Sequence, residues 1–172
     1  KDGLEALYCI VKYSWFDSEY VRDGVVEETL SKMQALERFN RHLADTIAPY
    51  LGRRILEVGA GTGNITRFLL RHGDVTATDI EEKGLKRLRE QFAGWEGFET
   101  MCWDIATAPP PALVEQGFET VVCLNVLEHV KDQEAALRYK RRVLEKSRGN
   151  LVLLVPALEA LYSPLDEALG HH

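Results

Sequence analysis

No apolar stretch in the 172 residues approaches the length needed to cross a bilayer. Cysteine is scarce and dispersed: Cys9, Cys102 and Cys123 stand singly, with no C-x-x-C pair and no Cys/His cluster. That excludes a structural zinc site and a disulfide framework, and fits reduced core residues of a cytoplasmic protein. Positive charge is in deficit, with 21 Lys and Arg against 27 Asp and Glu and a formal net charge of -6. A nucleic-acid partner is therefore not expected. Lys1-Asp2-Gly3 opens no signal-peptide pattern, and no internal repeat is visible. What remains is an ordinary globular composition, 45% hydrophobic, at a length suited to one α/β domain.

Residues 1–24 stand apart as an N-terminal extension or linker helix, with Leu4, Leu7, Tyr8, Ile10, Val11, Trp15 and Phe16 on an amphipathic pattern. From residue 25 the apolar positions Val26, Leu30, Met33, Leu36, Phe39, Leu43 and Ile47 recur every three or four residues, which predicts a long helix ended by Pro49 and Gly52. Strands are predicted at 54–58, 75–79, 98–103, 120–124 and 151–155. Helices are predicted between them: one through His72, one along Leu85, Leu88 and Phe92, and one capped by Asp132 and running to Lys146. Pro109-Pro110-Pro111 reads as an extended linker, and Lys140-Arg141-Arg142 as a solvated helix face. Alternating strands and helices predict a parallel sheet covered on both faces, with right-handed crossovers. Ligands of such sheets sit beyond the carboxyl ends of the strands, where the strand order reverses. Glu57, Asp79, Asp104 and Asn125 all fall at those ends.

The densest signal is Ile55-Leu56-Glu57-Val58-Gly59-Ala60-Gly61-Thr62-Gly63-Asn64: a buried strand, a glycine turn and the start of a helix. Such a turn lets a ligand approach the backbone and aims N–H groups and a helix N-terminus at it. The dinucleotide fingerprint wants glycine where Asn64 stands. Asp79 follows Gly59 by 20 positions, where a carboxylate can accept from a ribose diol or cap the next helix.

E-x-G-x-G-x-G over Glu57–Gly63 resembles motif I of the class I S-adenosylmethionine-dependent methyltransferases. Val121-Val122-Cys123-Leu124-Asn125-Val126-Leu127-Glu128-His129-Val130 resembles their motif IV, in the N-x-L-E-H-V form of small-molecule enzymes. The resemblance spans about residues 35–168. It implies a Rossmann-like sheet of five parallel strands in the order 3-2-1-4-5, and S-adenosylmethionine as cofactor. Glu57, Gly59, Ala60, Gly61, Gly63, Asp79, Ile80, Trp103, Asp104, Asn125 and Leu127 become the cofactor-binding candidates. Asp104 would meet the adenine amino group, with Trp103 flanking the ring. Glu128 and His129 would stand at the boundary with the acceptor as the catalytic candidates, either of them able to take a proton from a hydroxyl acceptor. Phe39 and Arg41 belong to a helix that lids the site in related enzymes. The acceptor would be a small molecule, lipid or saccharide.

The family's core continues past the fifth strand, so truncation at the C-terminus is expected. Lys1–Leu7 and the aromatic residues after it resemble the tail of family 2 glycosyltransferases. That leaves a second possibility, a non-catalytic S-adenosylmethionine-binding or scaffold domain of a glycosyltransferase fusion. A third, a nicotinamide-dependent oxidoreductase, would want glycine near 64 and an apolar residue at 57; neither is present.

Overall fold

The computed structural model describes residues 37–155. The expected boundary at residue 24, the first part of the long helix and the run after Val155 lie outside the described residues.

Helix α1 (Glu37–Ile47) passes through a short 3-10 turn, Ala48–Tyr50, into strand β1 (Arg54–Val58). There follow α2 (Thr66–Leu69), β2 (Asp74–Asp79), α3 (Glu82–Gln91), β3 (Phe98–Cys102) and α4 (Pro111–Glu115). The chain then forms β4 (Thr120–Leu124), a 3-10 turn at Leu127–His129, α5 (Gln133–Leu144) and β5 (Asn150–Leu154). The five strands make one sheet in the order β3-β2-β1-β4-β5 with every pairing parallel. The expected architecture is the observed one. β1 lies at the centre because it is apolar and covered on both sides, as a strand in the middle of a parallel sheet must be.

Side chains alternate between two cores. Leu56, Val58, Val121 and Cys123 point into one, closed by Leu113 of α4 and by Ala136, Val143 and Leu144 of α5. Ile55, Val75, Ala77 and Val122 point into the other, closed by Ile47 of α1, Leu69 of α2, and Leu85 and Leu88 of α3. Burying that apolar surface on both faces is the main favourable term in forming the sheet.

Four details depart from the sequence-based expectations. The helix expected to run through His72 is α-helical only over Thr66–Leu69, because residues 61–65 are taken up by turns. Pro111 opens α4 instead of extending a linker; Pro110 is extended, and a proline at the first helical position loses no hydrogen bond. Cys102 is exposed, whereas Cys123 is in the core. Lys140 is fully buried on the apolar face of α5, between Ala136 and Val143, while Arg141 and Arg142 are solvated.

Candidate functional site

Parallel pairing sets the register of one rim. Val58 lies beside Thr78 on one side and Cys123 on the other, and Asp79 lies beside Cys102. The carboxyl ends of β1 to β4 therefore come out together, carrying Glu57, Asp79, Asp104 and Asn125. The order reverses between β1 and β4, so this rim contains the switch point.

The glycine turn bridges β1 and α2. Gly59, Gly61 and Gly63 all have positive φ, at 72°, 54° and 78°, where residues with a Cβ are disfavoured. Two of the glycines are also demanded by packing. A Cβ on Gly59 would come within 2.3 Å of Val126 Cγ2, and one on Gly63 within 2.7 Å of Leu88 Cδ2. The two sequence motifs thus touch directly, Val126 resting on Gly59. Asn125, beside it, adopts a left-handed φ of 54°, a conformation Asn tolerates better than most residues. Its N–H donates to the Leu154 carbonyl at 2.8 Å.

Four N–H groups of the turn are engaged within the fold. Gly59 and Ala60 donate to the Thr78 carbonyl at 2.8 and 3.0 Å, and Gly63 to the Ala60 carbonyl at 2.9 Å. Gly61 donates to Asp79 Oδ2 at 2.9 Å. With α2 only four residues long, there is no long helix N-terminus behind them. An anion cradle needs uncommitted donors, and these four are committed within the fold.

The acids of the rim tell the complementary story. Asp79 is half-buried; besides holding Gly61 it accepts from the Glu81 N–H at 3.0 Å through Oδ1, at the start of α3. Glu57 is 5% exposed, and its Oε2 accepts from Thr66 Oγ1 at 2.6 Å. Burial lifts its carboxyl to about 7; the Thr66 hydroxyl opposes that rise and the Asp79 charge adds to it. Asp104 Oδ1 accepts from the Ala106 N–H at 2.8 Å. None of the described salt bridges involves Glu57, Asp79 or Asp104. Next to Asp79, Ile80 is 65% exposed, an apolar side chain standing open at the same rim.

Other candidates are placed differently. The Trp103 and Leu127 side chains are both buried in the α4/α5-side core, and the Trp103 indole N–H donates to the Thr107 carbonyl at 3.3 Å. The Trp103 ring, expected to flank an adenine, is enclosed by core residues. Ala60 is buried against the opposite core. Glu128 and His129, expected as a pair, diverge. His129 is exposed, whereas Glu128 is buried and its Oε2 has no hydrogen-bond partner. Glu128 and Lys140 both act on Cys123, whose thiol burial pushes up to about 11, with Lys140 opposing and Glu128 adding. Burial holds the Lys140 ammonium below its usual range, and its Nζ also lacks a partner. Nothing in the charge pattern of α5 separated Lys140 from its exposed neighbours; only its place between Ala136 and Val143 hinted at it. Arg41 is exposed on α1 and pairs with Glu37 at 2.9 Å, and Phe39 is half-buried.

At the opposite rim, a cavity of about 330 Å³ is lined by Arg54, Asp74, Thr76, Gly97, Glu99, Gln116 and Phe118. Its polar groups bond one another: Arg54 donates to the Gln116 carbonyl at 3.1 Å and Thr76 Oγ1 to Gln116 Oε1 at 3.3 Å. None of the motif residues lines it. Among the described residues no cluster of His, Cys, Asp or Glu could hold a metal ion, and no helix is long and apolar enough to cross a membrane.

A family model described as a methyltransferase domain matches residues 56–151, from β1 to β5. The polyketide synthase component of lovastatin nonaketide synthase from Aspergillus terreus is 35% identical over 149 residues, covering 77% of this chain and 5% of that protein. The ubiquinone biosynthesis O-methyltransferase of Thiobacillus denitrificans is 30% identical over 103 residues, 59% of this chain and 44% of that one. The chain thus spans less than half the length of either relative. Among solved structures, the CMeT domain of the citrinin polyketide synthase superposes with a TM-score of 0.60 at 26% identity, over 69% of this chain and 32% of that chain. The strand order, the glycine turn backed by an acidic strand end, and the family match over more than half of its length agree: the chain belongs to the class I S-adenosylmethionine-dependent methyltransferase family.

Proposed function

We propose that the rim formed by β1 to β4 binds S-adenosylmethionine and directs its methyl group to a small-molecule, lipid or saccharide acceptor. The observation that carries this is the pairing of Glu57, Asp79, Asp104 and Asn125 on one rim with a glycine turn in which Gly59, Ala60, Gly61 and Gly63 already donate within the fold. A pyrophosphate would need those donors. A ligand with a positive sulfonium, an ammonium, a ribose diol and an adenine needs acceptors, and the rim is rich in them. This favours an adenosyl sulfonium over a dinucleotide, and so disfavours the oxidoreductase alternative.

The residues divide the work as follows. Asp79 accepts from the ribose hydroxyls, and Ile80 gives the adenine an apolar face. Asp104 accepts from the adenine amino group. Gly59, Ala60, Gly61 and Gly63 shape the floor, and Asn125 presents its backbone to the methionine end. Trp103 and Leu127 support the site from the core. S-adenosylmethionine supplies a methyl group already activated for displacement. The protein's part is then alignment of the acceptor and exclusion of water, from which much of the acceleration can come. Glu128 is turned inward, so a hydroxyl or carbon acceptor that must lose a proton would look to exposed His129. The two relatives are a polyketide synthase and an O-methyltransferase, which makes carbon and oxygen acceptors the first to test. A cytoplasmic setting in a bacterium is consistent with Cys102 and Cys123 remaining unpaired and with the bacterial relative.

Calorimetry with S-adenosylhomocysteine and with NAD tests the cofactor: binding of the first and not the second is expected, and the reverse order overturns the assignment. Incubation with methyl-labelled S-adenosylmethionine and β-ketoacyl thioester, quinol or glycolipid acceptors tests transfer. Cofactor binding with no label transferred to any acceptor would instead favour the non-catalytic scaffold.

A further inference from the structure

Among the described residues three charged side chains are buried: Glu57, Glu128 and Lys140. Glu57 lies opposite Val122, on the face of the sheet that meets α1, α2 and α3, and holds the Thr66 hydroxyl. The other two, one acid and one base, fall in the opposite core. Glu128 stands between Leu127 and Val130, and Lys140 between Ala136 and Val143, and all four of those apolar neighbours belong to that core. Helix α5 packs on both β4 and the 3-10 turn, and both charges are close enough to Cys123 to act on its thiol, in opposite senses. Glu128 Oε2 and Lys140 Nζ are each shut from water without a hydrogen-bond partner. The rest of this core carries no charge, so each is the one opposite charge the other can find there. No described salt bridge joins them. Their attraction acts across apolar packing, where it is screened far less than at the surface.

The turn that carries Glu128 is held only lightly by its own backbone. His129 N–H donates to the Val126 carbonyl at 3.1 Å and Val130 N–H to the Leu127 carbonyl at 3.0 Å, and no side chain caps the turn. Its rotational setting is therefore decided by what its side chains meet. Each residue of a 3-10 turn advances about a third of a turn, so drawing Glu128 inward sets His129 outward, and His129 is exposed. We propose that Lys140 is a positioning residue: attraction between its ammonium and the Glu128 carboxylate holds the Leu127–His129 turn with Glu128 in the core and His129 presented to the acceptor. Lys140 touches neither cofactor nor acceptor and acts through Glu128. The proposal rests on the S-adenosylmethionine reading only for what His129 then meets; the clamp itself belongs to the free chain.

The experiment combines urea denaturation with proton NMR of the histidine rings, on the whole chain without cofactor. Lys140→Met keeps the bulk and removes one charge; Glu128→Gln keeps the shape and removes the other. Each single variant should lower the urea midpoint, because it leaves a buried charge without its counterpart. The double variant should recover more than half of the summed loss. The His129 ring signal, identified by its disappearance in His129→Gln, should move in Lys140→Met. It should stay in place in Val143→Ala, which loosens the same stripe of α5 without altering charge. Losses that simply add overturn the proposal. So does a His129 signal that is unmoved in Lys140→Met, or that moves as far in Val143→Ala. If Lys140→Met does not fold, Glu128→Gln carries the same readout, and an unmoved His129 signal there overturns the proposal. Calorimetry of the wild-type chain with S-adenosylhomocysteine keeps the two readings apart: no binding removes the cofactor reading and leaves the clamp standing, whereas binding with an unmoved His129 signal in the variants does the reverse.

Discussion

The two rims of the sheet are built from similar residues and arranged to opposite ends. At the amino rim, charge is matched: Arg54 lies 3.8 Å from Glu119, Arg53 donates its N–H to Glu119 Oε2 at 2.7 Å, and Arg54 also holds the Gln116 carbonyl. At the carboxyl rim, Glu57, Asp79 and Asp104 face backbone N–H groups and a hydroxyl, and none joins a described salt bridge. Glycine packing varies from site to site: a Cβ on Gly97, at the amino rim, would meet Asp74 Oδ1 at 2.2 Å. Gly117, near the amino rim, has φ 66° and nothing closer than 3.7 Å to an added Cβ, whereas Gly59 is jammed against Val126. One rim is finished as structure. The other leaves the Asp79 and Asp104 carboxylates outside every described salt bridge, a cost in stability that makes sense where a cation is to be received.

The largest expected effect tests the packing side of this contrast. Gly59→Ala adds a Cβ at a left-handed position and drives it into Val126; a loss of roughly 2–5 kcal/mol is expected by urea denaturation. Gly117→Ala should cost only the backbone term, roughly 1–2 kcal/mol. Equal losses would break the distinction between the two glycines.

Next comes the charge at Glu57. Its carboxyl titrates at about 7 in the folded protein against 4.5 ordinarily, so the folded state binds the proton more tightly than the unfolded one. The stability this gives is complete below 4.5 and is lost as pH rises to about 7. Glu57→Gln removes the dependence. The variant and wild type should match near pH 4, and the variant should be more stable at pH 8 by on the order of 3 kcal/mol. Thermal melts at both pH values measure this; a wild type that gains stability over that window relative to the variant would show that Glu57 is ionised without penalty.

The smallest effects form a crossed pair. Asp79→Ala should weaken S-adenosylhomocysteine binding by about 1–3 kcal/mol through loss of a charge-assisted contact. Arg54→Ala removes an exposed, solvent-screened pair and should change stability by less than about 1 kcal/mol, with affinity unaltered. Calorimetry on both variants decides: unchanged affinity in Asp79→Ala reduces that residue to a clasp for the glycine turn, while weakened affinity in Arg54→Ala would draw the amino rim into the site.

Several sequence neighbours end in different surroundings. Trp103 stands next to Asp104 in the chain, yet successive residues near a strand end face opposite directions, and the indole went into the core. In the 3-10 turn Leu127–His129 each residue advances about a third of a turn, which parts Glu128 from His129, one inward and one exposed. Lys140 was grouped with Arg141 and Arg142 by charge, although its spacing from Ala136 and Val143 puts it on the buried stripe of α5. Neighbours in sequence need not share an environment, whether they lie near a strand end, in a 3-10 turn or on a helix.

Taken alone, the order of residues was enough for the strands, their parallel alternation with helices, and the four polar strand ends, because hydrophobic period and turn chemistry are local. It was also enough to single out Glu57 and the three glycines. Only the folded chain decided what those groups face. Whether a backbone N–H is free or spent depends on Thr78 and Asp79, which lie about 20 residues away and arrive through sheet pairing. Whether a carboxyl is neutral or charged depends on the water and counter-charge that packing removes. Those are properties of distant segments brought together, and no local pattern contains them.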